Sequence, residues 1–329
     1  MPNLTIVEAE NLVVAALVRA GTGEANAASV ARALVAAEAD GLKGHGLSRV
    51  PSYCAQVRAR KVDGHAIPVA ARPKPAILAV DAAHGFAYPA LDLVLTELPE
   101  IARHQGIGAA PVRRSHHCGA AGHPVERLAE KGLVALLFAN TPSAIAPHGG
   151  NRAVFGTNPI AFACPLPGRE PIVVDLALSK VARGNIIAAG QRGDVIPEGW
   201  ALDAEGRPTT DPDAALKGTM VPLGDAKGTA LALMVELLAA GLTGAVYAAD
   251  ASSFIDTEGG PPGTGQLVLA LDPSALGGEG GLARFSALAE AIEAQEGARL
   301  PGSRRLASRK RAADRGLEVA DKLLAEIGA

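Results

Sequence analysis

Residues 107–140 read IGAAPVRRSHHCGAAGHPVERLAEKGLVALLFAN, and this stretch decides the fold class. IGAAPV (107–112) predicts a strand running straight into a loop of histidines. VERLAEKG (125–132) predicts a short helix, and LVALLFAN (133–140) a second strand ending at polar Asn140. Strand, loop, helix and strand in succession are the unit of an α/β protein. The same alternation extends outward. Apolar residues at helical spacing cover 4–20 and 27–41, separated by the turn GTGEAN, and a third helical stretch begins near Leu47. AILAVD (76–81) reads as a buried strand, and 90–106 as a helix stopped by Gly106. Strands follow within 156–165, 171–179 and 265–273. The segment 184–218, rich in Gly, Pro and charge, predicts surface loops. TALALMVELLAAGLTGA (229–245) carries Glu236 and is under 18 residues, so it reads as a buried helix and not a membrane span. The basic run at 304–311 reads as a solvated face before a last helix.

Composition narrows the function classes. With 329 residues, 48% hydrophobic and 20% charged, the chain has the profile of a globular enzyme of one large or two smaller domains. A net charge of −3 offers no field for nucleic acid or an anionic membrane. Three widely spaced cysteines, Cys54, Cys118 and Cys164, form no disulfide framework and no CxxC knuckle. The N-terminus shows no secretory pattern, so a cytoplasmic enzyme is expected.

His116, His117, Cys118 and His123 raise the question of metal or acid/base chemistry. Side chains of adjacent histidines diverge, and no carboxylate lies between Ser115 and Pro124, so a tetrahedral zinc site is disfavoured and no metal is expected. One histidine on a strand-to-helix loop suffices for proton transfer. A second histidine strengthens that reading. In DGLKGHGLSRVPSY (40–53), His45 lies between Gly44 and Gly46, with Arg49 one helical turn on and suited to clamp a carboxylate. No G-x-G-x-x-G follows a strand, so a Rossmann dinucleotide site is not indicated. GDAKGT (224–229) instead places Lys227 at a helix start, where an anion is favoured.

GHGLSRVPSY, SHHCG, FGTNPIAFACP, VVDLALSKVARG, GWALDAEGRPTTDP, KGTALALMVELLAAGLTGA and RLPGSRR occur collinearly over nearly the whole length. Together they resemble the malate/L-lactate dehydrogenase family of the non-Rossmann type, which includes sulfolactate and ureidoglycolate dehydrogenases and the reductases of Δ1-piperideine-2-carboxylate and Δ1-pyrroline-2-carboxylate. The resemblance implies a non-Rossmann nicotinamide-binding α/β fold, with a mixed sheet, flanking helices and an N-terminal helical part. It implies a helical, substrate-side domain of residues 1–112 with 274–329, and a cofactor-binding domain of 113–273. It implies hydride transfer between NAD or NADP and a small 2-oxo/2-hydroxy acid of the malate, lactate or sulfolactate type, in a homodimer with the site near the interface. The alternatives are reduction of a cyclic imino acid by the same site and, remotely, a catalytically silent cofactor-binding protein.

Position by position, the resemblance gives His45, His117 and Asp175 as catalytic, the aspartate orienting a histidine. Arg49 would hold the substrate carboxylate, and Asn140, Thr157 and Asn158 would line the site. Asp175, Leu176, Ala177, Ser179, Ala226, Lys227, Gly302, Ser303 and Arg304 would contact the cofactor. Two departures stand out. The family serine before His45 is Gly44, and the family's GGHKG is GDAKG, so that Asp225 faces the cofactor region. A carboxylate there would repel a 2′-phosphate, which leaves NAD and NADP both open.

Overall fold

Seven strands form one mixed sheet in the computed structural model, which describes residues 2–278 and 280–328. Residues 1, 279 and 329, part of the first expected domain, lie outside these. In chain order the strands are β1 (Val69–Lys74), β2 (Ile77–Asp81), β3 (Ile107–Ser115), β4 (Val134–Ala139), β5 (Ile160–Leu166), β6 (Arg169–Leu176) and β7 (Thr264–Leu271). In space the order is β1-β2-β3-β7-β4-β5-β6. β2 and β3 run parallel, and the other neighbours are antiparallel. The two strands foreseen in 107–140 are therefore not neighbours. The late strand β7 separates them, and its nearly continuous apolar run suits a central strand covered on both faces.

The helices of eight or more residues are α1 (Ile6–Arg19), α2 (Glu24–Ala39), α3 (Val50–Arg58), α4 (Ala87–Gln105), α5 (Gly122–Ala129), α6 (Arg183–Arg192), α7 (Ala226–Glu236), α8 (Gly281–Glu293), α9 (Ser303–Arg315) and α10 (Asp321–Gly328). Alternation along the strands sorts their side chains between two cores. Ala135, Leu137 and Ala139 of β4, with Val268 and Ala270 of β7, face α4 and α5. Leu136 and Phe138, with Leu267 and Leu269, face α7. A separate helical core joins α1, α2 and α3 to Ala312 of α9 and Ile327 of α10. The sheet takes strands from both sides of residue 112, and β3 crosses it.

Three expectations are corrected. Segment 184–218 is not only loop: α6, a short helix Pro212–Lys217 and a three-stranded sheet of Ala201–Leu202, Pro208–Thr209 and Thr219–Met220 close over their own core of Ile145, Ile186, Ile196 and Met220. The apolar helix α7 is buried on one face only. Leu231, Leu233 and Met234, with Leu237 in the turn that continues it, remain 39–52% exposed. The basic run is not simply solvated, because Arg305 and Arg309 of α9 turn inward onto buried Asp40 and Glu126.

Candidate active site

The connection from α2 to α3 carries His45 and Arg49 on two tight turns, Lys43–His45 and Leu47–Arg49. Buried Glu38, in the last turns of α2, accepts the Leu47 N–H at 3.0 Å and so holds the second turn. A β-carbon on Gly46 would collide with that carboxylate, so the glycine is what lets the turn close. Arg49 Nε donates to the Gly44 carbonyl at 2.7 Å, which fixes the guanidinium beside His45.

The histidine loop after β3 meets this turn. His45 Nδ1 lies 3.2 Å from His117 Nε2, and the two rings stack with centroids 5.2 Å apart. His117 Nδ1 lies 2.6 Å from the hydroxyl of Tyr53, which is 3.1 Å from that of Tyr88. Tyr53 and Tyr88 are buried, as is His117, whereas His45 is partly exposed. Phe254 roofs the loop, its ring 5.4 Å from His117 and 5.0 Å from His116. His116 points away into a cage of Tyr53, Phe86 and Phe254, with neither ring nitrogen bonded among the described residues. His123 turns the other way and meets Asp40 Oδ2 at 2.9 Å.

Burial disfavours the imidazolium at this junction, and the nearby Arg49 charge adds to the effect. The His45 pKa is lowered to about 4, that of His116 to about 3, and that of His117 well below its ordinary value. These shifts favour the neutral form of His45, His116 and His117. Burial also pushes the Tyr53 hydroxyl up to about 12, so it keeps its proton.

The other expected residues fall into two groups. Asp175 makes no hydrogen bond to His45 or His117. Its Oδ2 accepts the Gly122 N–H at 2.7 Å, a carboxylate at the first turn of α5. Asn140 and Asn158 are buried, and their amides donate to Glu236 of α7 at 3.1 and 2.8 Å. The Ala248 N–H adds a third bond at 2.7 Å, so among the described residues this buried side chain is held by neutral donors. Thr157 is partly exposed, with its N–H bonded to Thr141 Oγ1 at 2.9 Å.

The expected cofactor positions are joined by two contacts. Gly302, with φ +87°, starts α9 against Val173 of β6, beside Asp175 and the exposed Leu176. Past Ala177 the chain bonds across to the next segment, Leu223 N–H to Leu178 O at 2.8 Å, which leads to Ala226 and Lys227 at the start of α7. Gly228 is required there, because a β-carbon would collide with the Leu223 carbonyl. Ser179 is committed, its hydroxyl donating to Val181 O at 2.7 Å. Arg304 and Lys227 are exposed, with no ion pair among the described residues, and each lies in the first turn of a helix. Two helix starts with exposed cations, and the exposed apolar Leu176, suit a ligand with anionic groups and an apolar part. A nicotinamide dinucleotide fits that donor set.

Tyr53, Tyr88 and Glu38 were not among the residues singled out from the sequence, and Glu236 was noted only as a charge within an apolar run. Tyr53 alone left a signal, standing four residues after Arg49 in the GHGLSRVPSY stretch.

The malate/L-lactate dehydrogenase family model matches residues 4–328. A (2R)-3-sulfolactate dehydrogenase (NADP(+)) from Chromohalobacter salexigens is 52% identical over 328 residues, covering 99% of this chain and 97% of that one. A Δ1-pyrroline-2-carboxylate reductase from Ancylobacter novellus is 41% identical, covering 99% and 96%. The crystal structure of a Δ1-piperideine-2-carboxylate reductase from Pseudomonas syringae pv. tomato superposes with a TM-score of 0.94 at 37% identity, covering 100% of this chain and 99% of the other. By these matches, and by the sheet and histidine loop they span, the chain belongs to the malate/L-lactate dehydrogenase family.

Proposed function

We propose that the protein is an NAD(P)-dependent oxidoreductase acting on a small 2-oxo/2-hydroxy acid of the sulfolactate, malate or lactate type. The observation that carries this reading is the His45–His117 pair at 3.2 Å with Arg49 fixed beside it. Arg49 spends its Nε on Gly44 O, which leaves its two terminal nitrogens for a substrate carboxylate. A carboxylate held there cannot rotate freely, and its C2 atom is presented at a fixed place. His45, the partly exposed member of the pair, meets the C2 oxygen, where negative charge builds during reduction, and donates a hydrogen bond to it. The substrate carboxylate also cancels the Arg49 charge, which raises the basicity of His45 as the site fills. Phe254 excludes water from the His117 side.

When bound, the nicotinamide supplies or accepts the hydride. Gly302 to Arg304, Asp175 to Ala177, and Ala226 with Lys227 would hold the cofactor. NADP is the preferred form in this reading, since Arg304 and Lys227 offer cations for a further phosphate, with Asp225 opposing it. Residues 113–273 then serve mainly the cofactor, and 1–112 with 274–328 mainly the substrate. Thr157, tied to Thr141, and Asn140 and Asn158, acting through Glu236, keep the 140–158 connection in place.

The exposed face of α7 supports a homodimer. Leu231, Leu233, Met234 and Leu237 form an apolar surface of the kind that a second copy covers. Three buried, unpaired cysteines suit a reducing cytoplasm.

A second reading is reduction of a cyclic imino acid, favoured by Gly44. A protonated C=N needs less acid catalysis, and the missing serine is then no loss. The test is the decrease in nicotinamide absorbance with NADPH or NADH, using pyruvate, oxaloacetate, sulfopyruvate and the two cyclic imino acids in parallel. Turnover of an oxo acid is expected. Turnover of the imines alone selects the second reading, and no turnover of any of them overturns both.

A further inference from the structure

Resting on that reading, the hydroxyls behind the histidines carry a consequence for the proton. The groups form one line: Tyr88 Oη to Tyr53 Oη at 3.1 Å, Tyr53 Oη to His117 Nδ1 at 2.6 Å, and His117 Nε2 to His45 Nδ1 at 3.2 Å. Tyr53 and His117 each have two partners in the line. Tyr88, at the buried end, has one among the described residues, and His45 lies at the partly exposed end.

A hydroxyl has one proton to give, and a neutral imidazole has one N–H and one bare nitrogen. A buried donor goes without an acceptor only at a cost. Tyr88 is 6% exposed, and among the described residues its proton has one acceptor in reach, the Tyr53 oxygen. Tyr53 must then send its own proton to His117 Nδ1. That makes Nδ1 the bare nitrogen of His117 and puts its hydrogen on Nε2. His117 Nε2–H points at His45 Nδ1, which must accept, so the hydrogen of His45 sits on its own Nε2. Run in the opposite direction, the line ends with the Tyr88 proton aimed at no acceptor among the described residues.

We propose that the Tyr88–Tyr53 hydroxyl pair is a tautomer lock: acting through His117, it holds His45 with its hydrogen on Nε2, so that the resting site presents an N–H to the substrate and is set for reduction. Tyr53 and Tyr88 are positioning residues. Both hydroxyls are buried and keep their protons at neutral pH, Tyr53 being pushed up to about 12 and Tyr88 well above its ordinary value. The charged and titratable groups acting on the two histidines are Arg49, His116 and His123. Burial and these neighbours keep both rings neutral, the condition under which a tautomer is defined. A neutral imidazole N–H is a competent partner for a carbonyl oxygen gaining charge. Gly119, at φ +70°, makes room for the lock, since a β-carbon there would lie 2.7 Å from Tyr88 Oη.

The test uses the full chain labelled with 15N-histidine, in wild type, Tyr53→Phe and Tyr88→Phe. At neutral pH, two-bond nitrogen–proton couplings report which nitrogen of His45 and of His117 bears the hydrogen. Wild type is expected to show both on Nε2, with Nδ1 of His117 in the range of a hydrogen-bonded acceptor. Tyr53→Phe should remove that signature and admit the second tautomer of both rings, and Tyr88→Phe should do so to a smaller extent. Far-UV circular dichroism and cofactor affinity, unchanged in both variants, exclude misfolding. With a substrate that turns over, Tyr53→Phe should lower kcat for reduction about 10- to 100-fold, leaving KM within about twofold because Arg49 is intact. A wild-type His117 with its hydrogen on Nδ1 overturns the lock, and so do histidine spectra unchanged in both variants. The spectra need no turnover, so a wrong assignment of substrate would leave this result standing.

Discussion

Replacing Asp40 by Asn should destabilise the protein by far more than any surface charge change. Asp40 accepts hydrogen bonds from Arg305 at 2.8 Å, from Arg309 at 2.8 and 2.9 Å, and from His123 at 2.9 Å. Glu126 shares both arginines at 2.7–3.2 Å. The carboxylate side chains are 0% and 4% exposed and that of Arg305 is 12%, so water screens these pairs little; Arg309, at 37%, is more open. Removing one partner of a buried pair costs about 3–5 kcal/mol. The amide keeps one acceptor oxygen and Glu126 still pairs both arginines, which puts the loss near the lower end, about 3 kcal/mol. At about 2 °C per kcal/mol for a chain of this size, Tm should fall by about 6 °C.

Thermal unfolding followed by circular dichroism measures this, with Arg32→Met as the comparison. The Arg32–Asp92 pair is 56% and 32% exposed, and its loss should cost at most about 1 kcal/mol. The pH dependence adds an independent check. Hydrogen bonds from His123, Arg309 and Arg305 hold the Asp40 carboxyl below its ordinary range. A depressed folded pKa gives stability that is present above the unfolded value, about 4, and is lost as pH falls further. Asp40→Asn should therefore flatten the loss of stability below about pH 4. Equal Tm values for Asp40→Asn and Arg32→Met would refute the reasoning.

Arg49→Gln should raise the His45 pKa from about 4 toward 6.5, partially because burial is the larger cause, and NMR titration of the free protein checks it; an unchanged midpoint would assign the shift to burial alone. Leu237→Glu should convert a dimer to a monomer in sedimentation, whereas an unchanged sedimentation coefficient would leave the α7 face without that role. Gly44→Ser should fold with Tm within about 1 °C of wild type, since a β-carbon there meets nothing within 4 Å. If the lock governs His45, the added hydroxyl should change kcat less than Tyr53→Phe does, and a larger change would place proton control on the substrate side of His45.

The sequence made the alternation of elements legible because strand and helix periods differ and the boundaries carried Gly, Pro or Asn. It could not say that β7 lies between β3 and β4, since pairing is a long-range choice. The helix α7 was legible, but its burial was not: an apolar helix looks the same whether the same chain or a second copy covers it. The basic run misled for a related reason. Arg305 and Arg309 are four apart on one helical face, but what turns them inward is Asp40 and Glu126, 265 and 179 residues from Arg305. Asn140 and Asn158 were legible as polar residues ending or preceding strands, while their shared partner Glu236, 96 and 78 residues away, was not.

The histidine region shows the same limit at closer range. His45 and Arg49 stand in one short stretch, so a clamp and an acid could be read together. His117 was readable as a loop histidine. Their meeting spans 72 residues, and the Tyr53–His117 bond spans 64. A hydroxyl missing at position 44 on one side of His45 was visible in the sequence. The hydroxyls of Tyr53 and Tyr88, acting on the same ring from behind through His117, were not. A histidine has two nitrogens, and fixing either one fixes the other. With glycine at position 44, the proton of His45 is therefore still controlled, provided the far side is closed by donors with nowhere else to point.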